Sequence, residues 1–412
     1  MVRATLLSLC ILRLTTLSST AAEPLSLAAV WQRALAASPE AQVLDAERAA
    51  IAATAEQAGR LPNPTLGTQI ENVGVKRPYR GVDDAELTVQ LRQELVRRSK
   101  RDAARQFAEA DRPIAEAEYR IRIADLRRRV VTSYNALYLA QEQAKLADQA
   151  VDLAARIVHS LQRQHEAGQA TGVELSRALL ESATAKAKAE TAAVALAAAR
   201  RALIAQWGGD VIGEAEAIEV APTLLLADTP PLETFQAKLS NSPELRRLEA
   251  ESERRRAEVA VEKQRPVRDI GVAGGVRLLR RDDTATVVLG VDIPILAHNR
   301  YEGAIAAARA RERQLEHQKS SATLALRAEL AARYAELTAA QKEASALDQS
   351  VLPAAADVVA RNQAAFDQAQ VSFLQLLEAQ RALLAAREQR LAAVGRYLEA
   401  SVAIERLIDN VT

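Results

Sequence analysis

The sequence predicts a mixed fold of long α-helices and transmembrane β-strands, built as two copies of one unit and closed only by association of several chains. Three observations carry this expectation. First, the chain repeats itself: Ser38-Pro39-Glu40 returns as Ser242-Pro243-Glu244 and Pro62 as Pro266, both at an offset of 204 residues. Tyr134-Asn-Ala-Leu-Tyr-Leu-Ala-Gln141 is answered by Tyr334-Ala-Glu-Leu-Thr-Ala-Ala-Gln341 at an offset of 200. Second, each copy carries two short segments of period-two hydrophobicity. Third, the remainder is rich in Ala, Leu, Glu, Arg and Gln, with only 3% aromatic residues, the composition of long helices.

The 412 residues carry 26% charged side chains and a formal net charge of +1. That balance argues against a nucleic-acid partner, which requires a basic excess. Residues 1–22 read as a secretory signal peptide: Arg3 gives a positive start, Ala4 to Leu17 is mostly apolar, and Ser18-Ser-Thr-Ala-Ala22 offers small residues for cleavage. Cys10, the only cysteine, falls within it and follows Leu9 rather than a small residue, so neither a lipid anchor nor a disulfide is expected. No later run reaches the ~18 apolar residues of a membrane helix, so any crossing must be made by strands.

In order along the chain, residues 23–207 are expected to form the first structural repeat. It opens with an amphipathic helix from Leu25 to Gly59, interrupted at Ser38-Pro39 and stopped by Leu61-Pro-Asn-Pro64. A β-hairpin follows over 65–95. Leu66, Thr68 and Ile70 alternate with Gly67, Gln69 and Glu71, then Leu87, Val89 and Leu91 with Thr88, Gln90 and Arg92. A long helical hairpin spans 97–207. Its first arm, about 70 residues and about 100 Å long, contains Pro113, where a kink or local irregularity is expected. The turn is Ala167-Gly-Gln-Ala-Thr-Gly172. Residues 208–236, with Gly208-Gly209, Gly213, Pro222 and Pro230-Pro231, read as a linker or side layer.

The second repeat, 237–412, contains a β-hairpin over 268–295 and a helical hairpin over 301–407. In its strands Ile270, Val272, Gly274 and Val276 alternate with Gly271, Ala273, Gly275 and Arg277. Ala285, Val287, Leu289, Val291 and Ile293 alternate with Thr284, Thr286, Val288, Gly290 and Asp292. Pro353 interrupts the first helical arm, and the turn lies at Ala369 to Ser372. Segments of about 9–11 residues, apolar on one face, suit tilted transmembrane strands.

Four strands cannot close in lipid, where each unsatisfied backbone group costs several kcal/mol. Two chains would supply 8 strands with a filled interior, and three would supply 12 with a pore. The residues expected to face inward, Gly67, Gln69, Gly271, Ala273, Thr284 and Thr286, are small or polar and favour three.

Read against known families, Leu25-Ser-Leu-Ala-Ala-Val-Trp-Gln-Arg-Ala-Leu-Ala-Ala-Ser-Pro-Glu40, Gly59-Arg-Leu-Pro-Asn-Pro64, Gly168-Gln-Ala-Thr-Gly-Val-Glu-Leu175 and Ala369-Gln-Val-Ser-Phe-Leu-Gln-Leu-Leu-Glu378 resemble the TolC-type outer-membrane efflux family. The compact length and short strand turns are most similar to its heavy-metal, Czc-type cation efflux branch. The resemblance implies a TolC-like homotrimer in which a 12-stranded β-barrel, four strands per chain, is continuous with a long periplasmic α-helical barrel. It implies a passive duct rather than an enzyme, with no cofactor. Its partners would be a periplasmic adaptor (membrane fusion) protein, an inner-membrane RND pump and outer-membrane lipid. The exported substrate would be divalent cobalt, zinc or cadmium. A drug-efflux or type I protein secretion duct and a soluble coiled-coil scaffold are the other readings.

The same resemblance places a periplasmic aperture at Gln375 and Glu378, with Phe366 close by. Gln375 is neutral where family members carry a carboxylate, so only Glu378 keeps the charge. Gly168, Thr171, Gly172, Ala369 and Ser372 fall on the helical tips expected to receive the adaptor. His159, His165, His298 and His317 lack zinc-site spacing, and Met1 is the only methionine, so no metal ligand set is expected in the chain. Lys76, Arg77, Arg80, Arg280 and Arg281 flank the strand turns, where a solvated loop is the commoner reading and contact with lipopolysaccharide phosphates the other.

Overall fold

A computed structural model describes residues 24–75, 79, 81–209, 218–221, 229–295, 301–368 and 370–408. The expected signal peptide, Lys76, Arg77, Arg80, His298, Ala369 and most of the linker lie outside the described residues. The chain divides into two compact units, residues 1–33 with 133–225 and residues 34–132 with 226–412. The elements in chain order are α1 (Leu27–Ala37), α2 (Glu40–Ala58), β1 (Thr65–Glu71), β2 (Glu86–Leu95), α3 (Arg98–Glu109), α4 (Asp111–Glu166) and α5 (Gly172–Ile204). They continue with α6 (Leu232–Lys238), α7 (Pro243–Gln264), β3 (Ile270–Leu279), β4 (Thr284–Asp292), α8 (Glu302–Ala346), α9 (Leu352–Asp367) and α10 (Phe373–Leu407). No helix among the described residues is long and apolar enough to cross a membrane.

The prolines set the helix boundaries. Pro39 separates α1 from α2, as expected. The single long helix expected from 97 is instead two: α3 ends at Glu109 and α4 starts at Asp111. Pro113 has no N–H for the Glu109 carbonyl and its ring would collide with it, so the chain breaks before the proline rather than bending through it. Pro353 is handled differently. A π-helical turn, Leu347–Val351, precedes α9 and absorbs the bond that Pro353 cannot make to Gln349.

The first unit packs the end of the chain's N-terminal segment and residues 218–221 onto α4. Tyr134 is 1% exposed, and its hydroxyl lies 2.8 Å from the Leu25 carbonyl and 2.9 Å from that of Ala221. Leu25 and Val220 form a parallel bridge, with the Leu25 N–H donating to the Glu219 carbonyl at 2.8 Å. Gln141 satisfies Val220 on both sides: its amide donates to the Val220 carbonyl at 3.4 Å and its oxygen accepts from the Val220 N–H at 3.0 Å. Buried Leu137, Leu161, Leu203 and Ile204 supply apolar packing.

The second unit contains the sheet and the helices around it. α3 packs on α2 and α7, α7 on α8, and α10 on α8 and α9. Both Ser-Pro-Glu copies are fastened by arginines. Arg122 reaches Glu40 at 2.8 Å and Glu47 at 3.3 Å. Arg406 reaches Asp125 at 2.8 Å and also holds Glu244. The second copies of the Tyr and Gln positions use different contacts: the Tyr334 ring meets Phe235 at 6.0 Å, and the Gln341 oxygen accepts from the Thr229 hydroxyl at 2.7 Å.

The sheet has the order β1-β2-β3-β4, antiparallel throughout. β1 ends at Glu71, because Asn72 takes φ +60 and leaves the ladder. The register aligns Leu66, Leu91, Gly274 and Leu289, and likewise Thr68, Val89, Val276 and Val287, on one face. Leu66 is 71% exposed, Leu289 82% and Val287 77%, so this apolar face has no covering layer among the described residues. Gly275 lies on the opposite face, where an added Cβ would come within 2.2 Å of the Val89 carbonyl oxygen. The glycine is required for the close approach of β2 and β3.

Candidate functional site

The helical turn between α4 and α5 is built by its own residues. Gly168 takes φ +72, and a Cβ there would meet nothing, so the demand for glycine is conformational. The Gln169 N–H donates to the Gln164 carbonyl at 2.8 Å, closing the end of α4. Thr171 caps α5 in a reciprocal box. The Glu174 N–H donates to the Thr171 hydroxyl at 3.2 Å, while the Thr171 N–H and hydroxyl each donate to the Glu174 carboxylate at 2.9 Å. Donation from the Thr171 backbone and hydroxyl holds the Glu174 carboxyl below the usual glutamate range. Gly172 has no positive φ, and a Cβ would sit 3.8 Å from His165, in ordinary contact. The turn therefore does not require glycine there, whereas Gly168 is required.

The turn between α9 and α10 repeats this construction. The Gln370 N–H donates to the Ala365 carbonyl at 2.8 Å, and Ser372 caps α10 with Gln375 in the return role. The Gln375 N–H meets the Ser372 hydroxyl at 3.4 Å, and the Gln375 oxygen accepts from the Ser372 N–H at 3.2 Å. Gln375 is thus the capping partner that Glu174 is at the other turn, with no charge. Phe366 is 5% exposed and packs against Phe373, their rings 6.4 Å apart, so it staples the hairpin from inside. Glu378, one turn further along α10, is exposed, as is Asp367 at the end of α9.

Each turn also presents an aliphatic side chain that the sequence reading passed over. Val173 and Leu374 occupy the same place, two residues after the capping hydroxyl, and are 64% and 44% exposed. The signal was present in the sequence as Thr-x-x-Glu and Ser-x-x-Gln, each of which fixes the helix start and hence the outward direction of the residue between.

The polar face of the sheet carries charge at both ends. Arg277 donates to Glu86 and to the Thr88 hydroxyl, both at 3.1 Å, and lies 3.5 Å from Glu71. Glu71 and Glu86 are directly opposite one another in the ladder, a like-charge pair that Arg277 bridges. At the other end Arg92 crosses β3 to meet Asp292 at 3.0 Å, passing over Gly271 and Ala273. Gly67, Gln69, Gly271, Ala273, Thr284 and Thr286 lie on this face, as the alternation predicted. Beneath it Asp269 ties β3 to the start of α3. It accepts from the Arg97 N–H at 3.0 Å and pairs with Lys100 at 2.5 Å, placing a carboxylate at a helix N-terminus. At the other end of the strands Arg281 pairs with Asp84 at 3.4 Å.

Comparison with known proteins gives these features a setting. The family described as "Outer membrane efflux protein" matches residues 30–209 and 234–410. The chain is 30% identical over 355 residues to the cobalt-zinc-cadmium resistance protein CzcC of Cupriavidus metallidurans, covering 85% of this chain and 82% of that protein. Its structure is similar to the outer membrane protein VceC of Vibrio cholerae, with TM-score 0.73, 18% identity and coverage of 93% and 95% of the two chains. It is also similar to CusC, with TM-score 0.74, 16% identity and coverage of 93% and 91%.

Proposed function

The chain belongs to the outer membrane efflux protein family, and on that premise we propose that it is the passive outer-membrane duct of a tripartite export system for divalent heavy-metal cations. The protein works as a homotrimer, catalyses no reaction and holds no cofactor. The observation that carries this reading is the sheet: four strands with an uncovered apolar face, a polar face and two unpaired edges. Such a sheet is stable in lipid only when copies join edge to edge into a closed barrel. Three copies supply 12 strands and an aqueous lumen.

The substrate assignment rests on the relation to CzcC, whose name states cobalt-zinc-cadmium resistance. The two helical turns are the docking ends for a periplasmic adaptor, which couples the duct to an inner-membrane RND pump. Their exposed Val173 and Leu374 and the small Gly172 suit packing by helical partners. Glu378 forms the single acidic ring of the lower aperture, and Gln375 contributes no second one. The chain is organised as two copies, 23–207 and 237–412, joined by 208–236.

Deletion of the gene tests the substrate. The strain is expected to become sensitive to cobalt, zinc and cadmium and to regain resistance with the intact gene. Unchanged metal tolerance together with new drug sensitivity would replace the metal reading with drug efflux. In planar bilayers Glu378→Ala is expected to raise single-channel conductance and weaken divalent-cation block. If neither changes, the acidic aperture is wrong.

A further inference from the structure

The helices of the second unit stand in the same order as the strands they join. α2 leads into β1, β2 into α3, α7 into β3 and β4 into α8, and α2 packs on α3, α3 on α7 and α7 on α8. The outer helices α2 and α8 therefore stand at the same two ends as the edge strands β1 and β4. Their exposed faces carry small side chains: Ala46, Ala50 and Ala53 on α2, and Ala306, Ala307 and Ala310 on α8.

The internal repeat shows what such faces take. At the 204-residue offset of the Ser-Pro-Glu copies, Ala46 of α2 corresponds to Ala250 of α7. Ala46 is exposed, whereas Ala250, on a helix with neighbours on both sides, is 7% exposed. At the 200-residue offset of the Tyr copies, Ala103 of α3 corresponds to Gly303 of α8. Ala103 is buried, and a Cβ added to Gly303 would meet nothing. The joint between the two copies inside the chain, α3 and the start of α4 against α7, is fastened by Arg254. Its guanidinium lies over the Phe107 ring at 4.7 Å and pairs with Asp111. The counterparts of Arg254, Phe107 and Asp111 are Ala50, Ala307 and Arg311, and Arg311 is already engaged by Glu258 at 3.0 Å.

Resting on the closed-barrel reading above, we propose that α2 seats against α8 of a second copy of this chain through an alanine seam, with Ala50 of one chain opposite Ala307 of the next. The joint inside the chain is the template for its register. Alanine on both sides brings the helix axes to the short end of the usual 8–10 Å range. The strand edges supply the hydrogen bonds of the contact and the alanines its helix packing. Three copies give three such seams, alternating with the three joints that Arg254 fastens.

Cysteine pairing in detergent-purified protein carrying Cys10→Ser tests the seam. Oxidised Ala50→Cys/Ala307→Cys is expected to run as covalent dimers and trimers in non-reducing electrophoresis, since a disulfide needs Cα atoms within about 7 Å. Inside one chain α3 and α7 stand between these positions, so no internal bond competes. Each single variant stays monomeric under the same treatment. Ala53→Cys/Ala306→Cys samples the neighbouring turn and keeps the test decisive if the first pair disturbs assembly. Ala50→Trp overpacks the seam and lowers the trimer fraction at least about fivefold, whereas Ala50→Ser preserves it. A trimer that neither pair crosslinks, or that accepts Ala50→Trp unchanged, overturns the seam alone. A wild-type protein that is monomeric in detergent takes the barrel reading with it.

Discussion

Single residues repeated between the copies turn out to be fasteners for irregular chain. Tyr134 holds two carbonyls with one hydroxyl, at Leu25 and Ala221, while Gln141 satisfies both backbone groups of Val220. These backbone groups have little water to replace those partners, so Tyr134→Phe is expected to cost about 1–3 kcal/mol. Tyr334 uses its ring against Phe235, and Tyr334→Phe keeps that ring. Thermal denaturation of the two variants should show the larger loss for Tyr134→Phe. Equal losses would mean that the Tyr134 hydroxyl is not the fastener. The repetition of Tyr and Gln was plain in the sequence, but the partners were not. Leu25, Val220 and Ala221 lie 79 to 109 residues away in segments with no periodic signal. The same holds for the Ser-Pro-Glu motif. Its glutamates pair with Arg122 and Arg406, which do not occupy equivalent positions in the two copies.

Helices and strands were legible where a period or a proline marks them. Alternation gave both hairpins and the face each residue occupies. Pro39 gave the first helix break. Pro113 marked the irregularity that separates α3 from α4, whereas the extent of β1 depended on a local backbone choice at Asn72, which composition does not express. The two helical turns show how one construction acquires a difference. Both use a capping box, yet one closes with Glu174 and the other with Gln375. The Glu174 carboxyl titrates below the ordinary value of 4.5, chiefly because the Thr171 backbone and hydroxyl donate to its ionised form. A depressed folded value means that the stabilisation is complete above 4.5 and is lost as pH falls through the lowered value. Protection against hydrogen exchange at the first turn of α5 is therefore expected to fall in acid below 4.5, while protection at the first turn of α10 changes little. Thr171→Ala and Ser372→Ala should each cost about 1 kcal/mol at neutral pH. Equal acid sensitivity at the two turns would show that the Glu174 cap is not what responds.

At the scale of the whole molecule, the two faces of the sheet must meet different solvents. On the closed-barrel reading proposed above, the exposed Leu66, Val287 and Leu289 lie against lipid. The adjacent residue Val288 lies on the polar face, opposite Gly275, where no Cβ competes for space. This gives a contrast within one dipeptide. Leu289→Arg would put a guanidinium into hydrocarbon, at a cost of about 2–4 kcal/mol per chain near the bilayer midplane. In an assembly of three chains the cost is incurred three times. The variant is expected to lose the heat-modifiable, detergent-requiring oligomer and to appear as degraded or unassembled protein. Val288→Arg adds the same charge one residue away and should assemble normally, because its side chain enters water. Membrane fractionation and electrophoresis of heated and unheated samples would read both outcomes. A soluble scaffold, with both faces in water, predicts the opposite: Leu289→Arg would be harmless and would improve solubility without detergent. The comparison separates the two architectures without reference to any substrate, since it asks only which face of one strand cannot accept a charge.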